Sequence, residues 1–137
     1  MPKLIIGFVA DLMFQTRVES AALKLDYQTR WIESAEQLQI PAEARSPLDE
    51  QEILGDQLSV LAPSLLIFDL GNAQIPWKSW IPALKLIPET RNISILCFGS
   101  HVDVASLKKA RQCGADEVVA RSRFVTALPE LIQKYAR

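Results

Sequence analysis

The hexamer LLIFDL (65–70) sets one acid, Asp69, near the end of an apolar run. A carboxylate there is costly to bury unless something stabilises its charge, so its purpose is the first question the sequence raises. Two guanidiniums, Arg121 and Arg123, follow another apolar run, EVVA (117–120). A guanidinium forks onto a carboxylate or an anionic ligand through paired hydrogen bonds. The other chemistry-bearing residues are scattered. His101 is the only histidine and has no cysteine or acid at ligand spacing, which reads as a solvated loop residue. Cys97 and Cys113 stand apart among apolar neighbours and read as small core residues with reduced thiols, not zinc ligands. GFVADLM and GNAQIP have too few glycines to cradle a phosphate, which disfavours dinucleotide binding. No strand-to-helix elbow presents a nucleophile. No catalytic residue, metal site or cofactor is assigned, and an enzyme is not expected.

Such groups matter only if the chain sets them side by side. LIIGFV (4–9), YQTRWI (27–32), SLLIFDL (64–70), ISILCF (93–98) and EVVA (117–120) have strand length and strand composition. Between them, apolar residues recur at helical spacing. Phe14, Val18, Ala21, Ala22 and Leu25 form a first stripe, with Asp11 placed as its N-cap. Ile53, Leu54, Leu58 and Leu61 form a second, closed by Pro63, and Trp80, Leu84 and Ile87 a third, before Pro88. Val104, Leu107 and Ala110 form a fourth, with Gly114 as its stop. Phe124, Leu128, Leu131, Ile132 and Tyr135 form the fifth and cleanest. Residues 33–52 contain Pro41 and Pro47 and no long period, which predicts a short helix and a loop. Trp77 and Trp80 are expected to pack the third helix, although the nearby prolines could leave one exposed for a protein contact.

Strand followed by helix, five times over, requires parallel pairing and right-handed crossovers. The expected fold is a doubly wound α/β domain, a five-stranded parallel sheet with helices on both faces. Ligands of such sheets bind at the carboxyl ends of the strands, beside the switch in strand order, so Asp69 is expected to face that crevice.

The 137 residues fit a single domain, 1–137, and 49% hydrophobic against 23% charged residues is enough for an ordinary core. A formal net charge of −1 gives no global pull toward nucleic acid or an anionic membrane. No apolar run approaches the roughly 18 residues of a membrane helix. MPKLIIGFVADLMF is broken by Asp11 and lacks a small-residue cleavage site, so it does not read as a secretion signal and a cytoplasmic location is expected. The charge is uneven along the chain. Residues 33–61 hold seven acids (Glu33, Glu36, Glu43, Asp49, Glu50, Glu52, Asp56) against Arg45 alone, whereas residues 101–137 hold seven bases against four acids. These are either two solvated faces or two surfaces that meet, in a dimer or with a partner.

PSLLIFDL, followed by IPETRNISILCFGSH and then KKARQCGADEVVARSRF, resembles a bacterial response-regulator receiver domain, and the similarity spans residues 3–137. The resemblance implies a flavodoxin-like fold and a phospho-acceptor aspartate at the end of the third strand, the position of Asp69. It also implies further site residues that this chain lacks. Phe8 and Val9 stand where receivers carry two acids for magnesium. Gly99 stands where receivers carry a hydroxyl, with Ser100 one residue later. Arg121 and Ser122 replace a Lys and Pro, and Val118 replaces the switch aromatic.

Phosphoryl transfer to a carboxylate needs magnesium to neutralise developing charge, and magnesium needs oxygen ligands. Phe8 and Val9 offer none, and Asp11 is expected at a helix cap. In an extended strand Ser100 would face away from the place of the missing hydroxyl. Asp69 is left either paired with Arg121 across the crevice or bonded to loop amides of GNAQ. The expected function is therefore a pseudo-receiver, with Asp69 an inactive acceptor position and a pocket rim of Phe8, Val9, Asp11, Gly99, Ser100 and Arg121. It would act by contacting a protein (a kinase, regulator or output protein) or as a homodimer through the face of the fourth helix, fifth strand and fifth helix, where receivers often dimerise. The acidic connection over 33–52 is longer than receivers need and is expected to be a docking element. The alternatives are a binder of a nucleotide or other small anion at Arg121 and Arg123 and, more remotely, a true phospho-acceptor at Asp69.

Overall fold

The computed structural model describes residues 3–38 and 46–137. Its strands are β1 (Lys3–Phe8), β2 (Tyr27–Trp31), β3 (Leu65–Asp69), β4 (Ser94–Gly99) and β5 (Glu117–Ala120). All pair in parallel in the order β2-β1-β3-β4-β5, the doubly wound arrangement the alternation requires. The helices are α1 (Leu12–Lys24), α2 (Pro47–Leu61), α3 (Trp77–Leu86), α4 (Val104–Cys113), α5 (Arg121–Thr126) and α6 (Leu128–Tyr135), with a 3-10 turn at Ala35–Leu38. The chain reverses direction across the sheet between β1 and β3, which opens the crevice at their carboxyl ends.

Strand alternation divides the core in two. Ile6, Phe8, Leu66, Phe68, Ile95, Cys97 and Val118 face the side covered by α2, α3 and α4. Ile5, Val9, Leu65, Ile67, Leu96, Phe98 and Val119 face the side covered by α1, α5 and α6. Gly7 lies on this second side beneath Trp31, whose ring would clash with an added Cβ. Trp77 and Trp80 are both buried, which rules out the exposed tryptophan. Trp80 meets the edge of Phe8 and donates to Glu50 Oε1 at 2.6 Å.

The resemblance motifs have structural uses. Gly114 closes α4 at φ 107, a region other residues rarely enter. Asp116 then ties three elements together, accepting from the Ile95 N–H at 2.7 Å and pairing with Lys85 at 2.6 Å. Thr90 Oγ1 donates to the Leu84 carbonyl at 2.7 Å and fastens the end of α3.

Several expected boundaries move. The helix expected around Ile53 begins at Pro47, with Ser46 as its N-cap, so 47–52 is helix where a loop was expected. Pro41, Glu43 and Arg45 of the expected acidic connection lie outside the described residues. The last helix divides at Ala127, because Pro129 starts a new first turn. Val104, expected on the buried stripe of α4, is 66% exposed as the first residue of that helix.

Candidate functional site

Leu65, Ile67 and Asp69 point to the same side of β3, so the acid ends a wholly apolar row. β1 and β4 flank it, and only 8% of Asp69 is exposed. Its Oδ1 accepts the N–H of Gly71 at 2.9 Å, closing the turn into GNAQIP. Burial holds its carboxyl above the usual carboxylate range; the Gly71 hydrogen bond and the Arg121 charge pull it back, and Asp11 adds to the rise.

Arg121 is the first residue of α5, which follows β5 without a loop. Its guanidinium reaches back over the mouth: a Cβ on Gly71 would stand 2.8 Å from Arg121 Nη2 and 3.3 Å from Asp69 Oδ1. Acid and base therefore approach the same bare glycine. Among the described residues the ion pair that forms is Lys85–Asp116, not Asp69–Arg121. Of the two readings of Asp69, the loop-amide bond is the one made, and the direct Arg121 fork is not. Arg121 acts on the acid through space.

The remaining rim positions offer a divalent cation little. Phe8 and Val9 are fully buried, Phe8 stacking on Phe68 at 4.3 Å between centroids. Asp11 caps α1, accepting from Met13 N at 2.8 Å and Phe14 N at 3.3 Å. A Cβ at Gly99 would touch Leu70 and Leu107 at 3.4 Å, so leucine methyls surround the place of a hydroxyl. Ser100 lies beyond the end of β4, so strand alternation does not decide its direction; its Oγ instead accepts the Val102 N–H at 3.4 Å. Among the described residues no three His, Cys, Asp or Glu side chains gather as a metal site. Magnesium, which wants near-octahedral oxygen ligands, does not fit this donor set.

A second rim layer joins the crevice that the sequence reading did not single out. Gln15 Nε2 donates to the Val9 carbonyl at 2.6 Å and to Glu33 Oε2 at 3.0 Å. Asn72 Nδ2 donates to the Glu33 carbonyl at 2.9 Å and, longer, to the Phe8 carbonyl at 3.4 Å. Trp77 Nε1 donates to the Leu70 carbonyl at 3.0 Å. Backbone oxygens at the ends of β1 and β3 are thus occupied by side-chain N–H groups. A signal for Gln15 existed: it is a polar residue three before Val18 and seven before Ala22, on the buried stripe. Asn72 announces only a turn, since its Oδ1 accepts Gln74 N; its reach to Glu33 depends on tertiary placement.

The other candidates disperse. His101 is exposed in a turn. Cys97 is buried and Cys113 half-buried, neither in a disulfide. Arg121 reaches over Gly71 toward Asp69, and Arg123 lies two residues further along α5. The two guanidiniums diverge, as residues two apart on a helix must.

No family model matches the sequence, and no curated protein matches it. Solved structures do. A candidate response regulator from Chloroflexus aurantiacus superposes with a TM-score of 0.74 at 16% identity, covering 98% of both chains. The receiver domain of the sensor histidine kinase PA1611 from Pseudomonas aeruginosa, which holds a magnesium ion in its cleft, gives 0.73 at 12% identity, again covering 98% of both. The phosphorylated cyanobacterial phytochrome response regulator RcpA gives 0.71 at 8% identity, covering 98% of this chain and 94% of its own. At these identities the likeness establishes the fold: this is the flavodoxin-like α/β fold of receiver domains.

Proposed function

We propose that this chain is a receiver-fold signalling module that works by protein contact and takes no phosphoryl group on Asp69. One observation carries the reading: Phe8 and Val9, at the carboxyl end of β1, are core residues with no exposed surface. An anionic donor meeting the Asp69 carboxylate needs a cation between them, and this mouth has one acid where several oxygens are required. Arg121 spreads some positive charge over the crevice but does not replace an ion held by several ligands.

In this reading the chain is not an enzyme and acts in the cytoplasm, bound to neither nucleic acid nor membrane. Its partner is a kinase, a regulator or an output protein. The face of α4, β5, α5 and α6, with Lys108, Lys109, Arg123 and Lys134, is the surface offered to that partner or to a second copy. The acidic connection over 33–52 serves as a further docking element. Two observations weigh against the anion-binding alternative. Arg121 and Arg123, two apart at the start of α5, leave the helix from different faces, and a buried Asp69 carboxylate repels an anion entering the same crevice.

Magnesium with fluoroberyllate, a phosphoryl mimic, tests the reading when titrated into isotope-labelled protein and followed by amide NMR. The amides of Gly71, Asn72 and Arg121 are expected to show no saturable shift. Saturable shifts centred on Asp69 would overturn the reading in favour of true phospho-acceptance.

A further inference from the structure

The surface formed by α2, α3 and α4 carries two grooves of opposite charge. The first, about 560 Å³, lies between α2 and the C-terminal end of α3. Its lining includes Glu52, Asp56 and Glu89, the apolar Leu48, Leu86 and Ile87, and no base among the described residues. Leu48 and Leu86 are 74% and 80% exposed. No cation among the described residues pairs with the three carboxylates. The second groove, about 410 Å³, lies between α4 and the N-terminal end of α3. It is lined by Lys78, Lys108 and Lys109 with neutral residues between them, and no acid. Asp103 stands near Lys78, but its carboxylate is engaged with Ser106 as the cap of α4. Val104, 66% exposed, precedes Lys108 by one helical turn and adds an apolar patch on the same face.

The opposite charge of two grooves on either side of one helix carries the inference. α3 packs between α2 and α4. One groove is on the α2 side at the end of α3, and the other on the α4 side at its beginning. Two copies set face to face about a two-fold axis lying in this face would bring each acidic groove against the partner's basic groove. We infer that this face is a two-fold contact between two copies of the chain. The acids of α2 then meet the lysines of the partner's α4, and the reverse occurs across the axis, as an isologous interface requires. Opposite charge steers such an encounter and fixes its register, while the exposed leucines and Val104 supply apolar area. The inference rests on the protein-contact reading but moves the second copy from the α4–β5–α5–α6 face to the α2–α3–α4 face, since Lys108 and Lys109 line the groove beside α3; its outcome is independent of whether Asp69 is phosphorylated.

Sedimentation equilibrium of the full chain tests it. The wild type is expected to move from 15.3 kDa toward twice that mass as concentration rises, and to return toward the monomer as salt screens the contacts. Glu52→Lys with Asp56→Lys makes both grooves basic, and Lys108→Glu with Lys109→Glu makes both acidic. Each variant alone is expected to stay monomeric, and an equimolar mixture of the two to form the heterodimer. All four positions are exposed, and circular dichroism melts check that each variant folds. A wild type that stays at 15.3 kDa at every concentration would overturn the inference. So would folded variants that still self-associate alone, or a mixture that fails to pair.

Discussion

At the scale of single residues, Asp69 is a charge held where burial works against it. Its folded carboxyl binds a proton more tightly than the unfolded chain does, because desolvation outweighs the Gly71 hydrogen bond and the Arg121 attraction. The stability this group contributes is fully present below the unfolded value of 3.8 and is lost as pH rises through the higher folded value. The ionised acid therefore lowers stability at neutral pH. Asp69→Asn keeps an oxygen for the Gly71 N–H and removes the charge. It is expected to melt higher than the wild type at pH 7, with the advantage vanishing as pH falls through the ordinary carboxylate range; thermal melts across pH measure it. A lower melting temperature at pH 7 would show that Arg121 repays the burial. The sequence marks Asp69 as anomalous, since an acid in an apolar strand is visible on sight. Its actual partner is not visible, because whether Arg121 touches it or stops at Gly71 depends on how closely α5 follows β5.

At the scale of elements, the prolines separate what pattern can and cannot locate. Pro47 and Pro129 look like breakers, yet both sit in the first turn of a helix, where the missing N–H has no intrahelical partner to lose. That is why α2 starts earlier than its apolar period and why the last amphipathic stripe is two helices. The stripe itself was legible: Phe124, Leu128, Leu131 and Ile132 all reach the core. Pro82 lies inside α3 and cannot bond the carbonyl of Lys78, which lies 3.7 Å from Cys113 Sγ. No periodicity announces that contact. The end of α2 gives a prediction of its own. Ala62 caps it at φ 48 and ψ 56, a left-handed conformation that costs a side-chain-bearing residue roughly 1 kcal/mol. Ala62 is exposed and its N–H still bonds the Leu58 carbonyl at 2.9 Å. Ala62→Gly is expected to stabilise the domain by about 1 kcal/mol in urea unfolding. No gain in the unfolding midpoint would mean that the freedom glycine adds to the unfolded chain cancels the relief.

At the scale of the molecule, the two half-cores extend to the lip of the crevice, and this sets what the crevice can accept. Phe8 closes the α2–α3–α4 side through Phe68 and Trp80, while Val9 closes the α1–α5–α6 side. In a sheet that binds a cation at this end, the last residues of the first strand must meet solvent and ion. Here they meet aromatic rings and aliphatic side chains. Placing two acids there by Phe8→Asp with Val9→Asp is therefore not expected to create a metal site. Each carboxylate would enter a position with no exposed surface and lose the packing of the side chain it replaces. Each change is expected to cost several kcal/mol, against a total stability of about 5–15 kcal/mol for such a domain. The double variant is expected to lose its near-ultraviolet tryptophan signal and its cooperative melt, and to remain so in millimolar magnesium. Recovery of a cooperative melt on adding magnesium would show that the crevice rearranges to hold the ion, in which case the acids alone separate this chain from a phosphate-accepting receiver. If the melt stays absent, more than the two site residues is involved: the packed side chains of the interior occupy the place a cation would need.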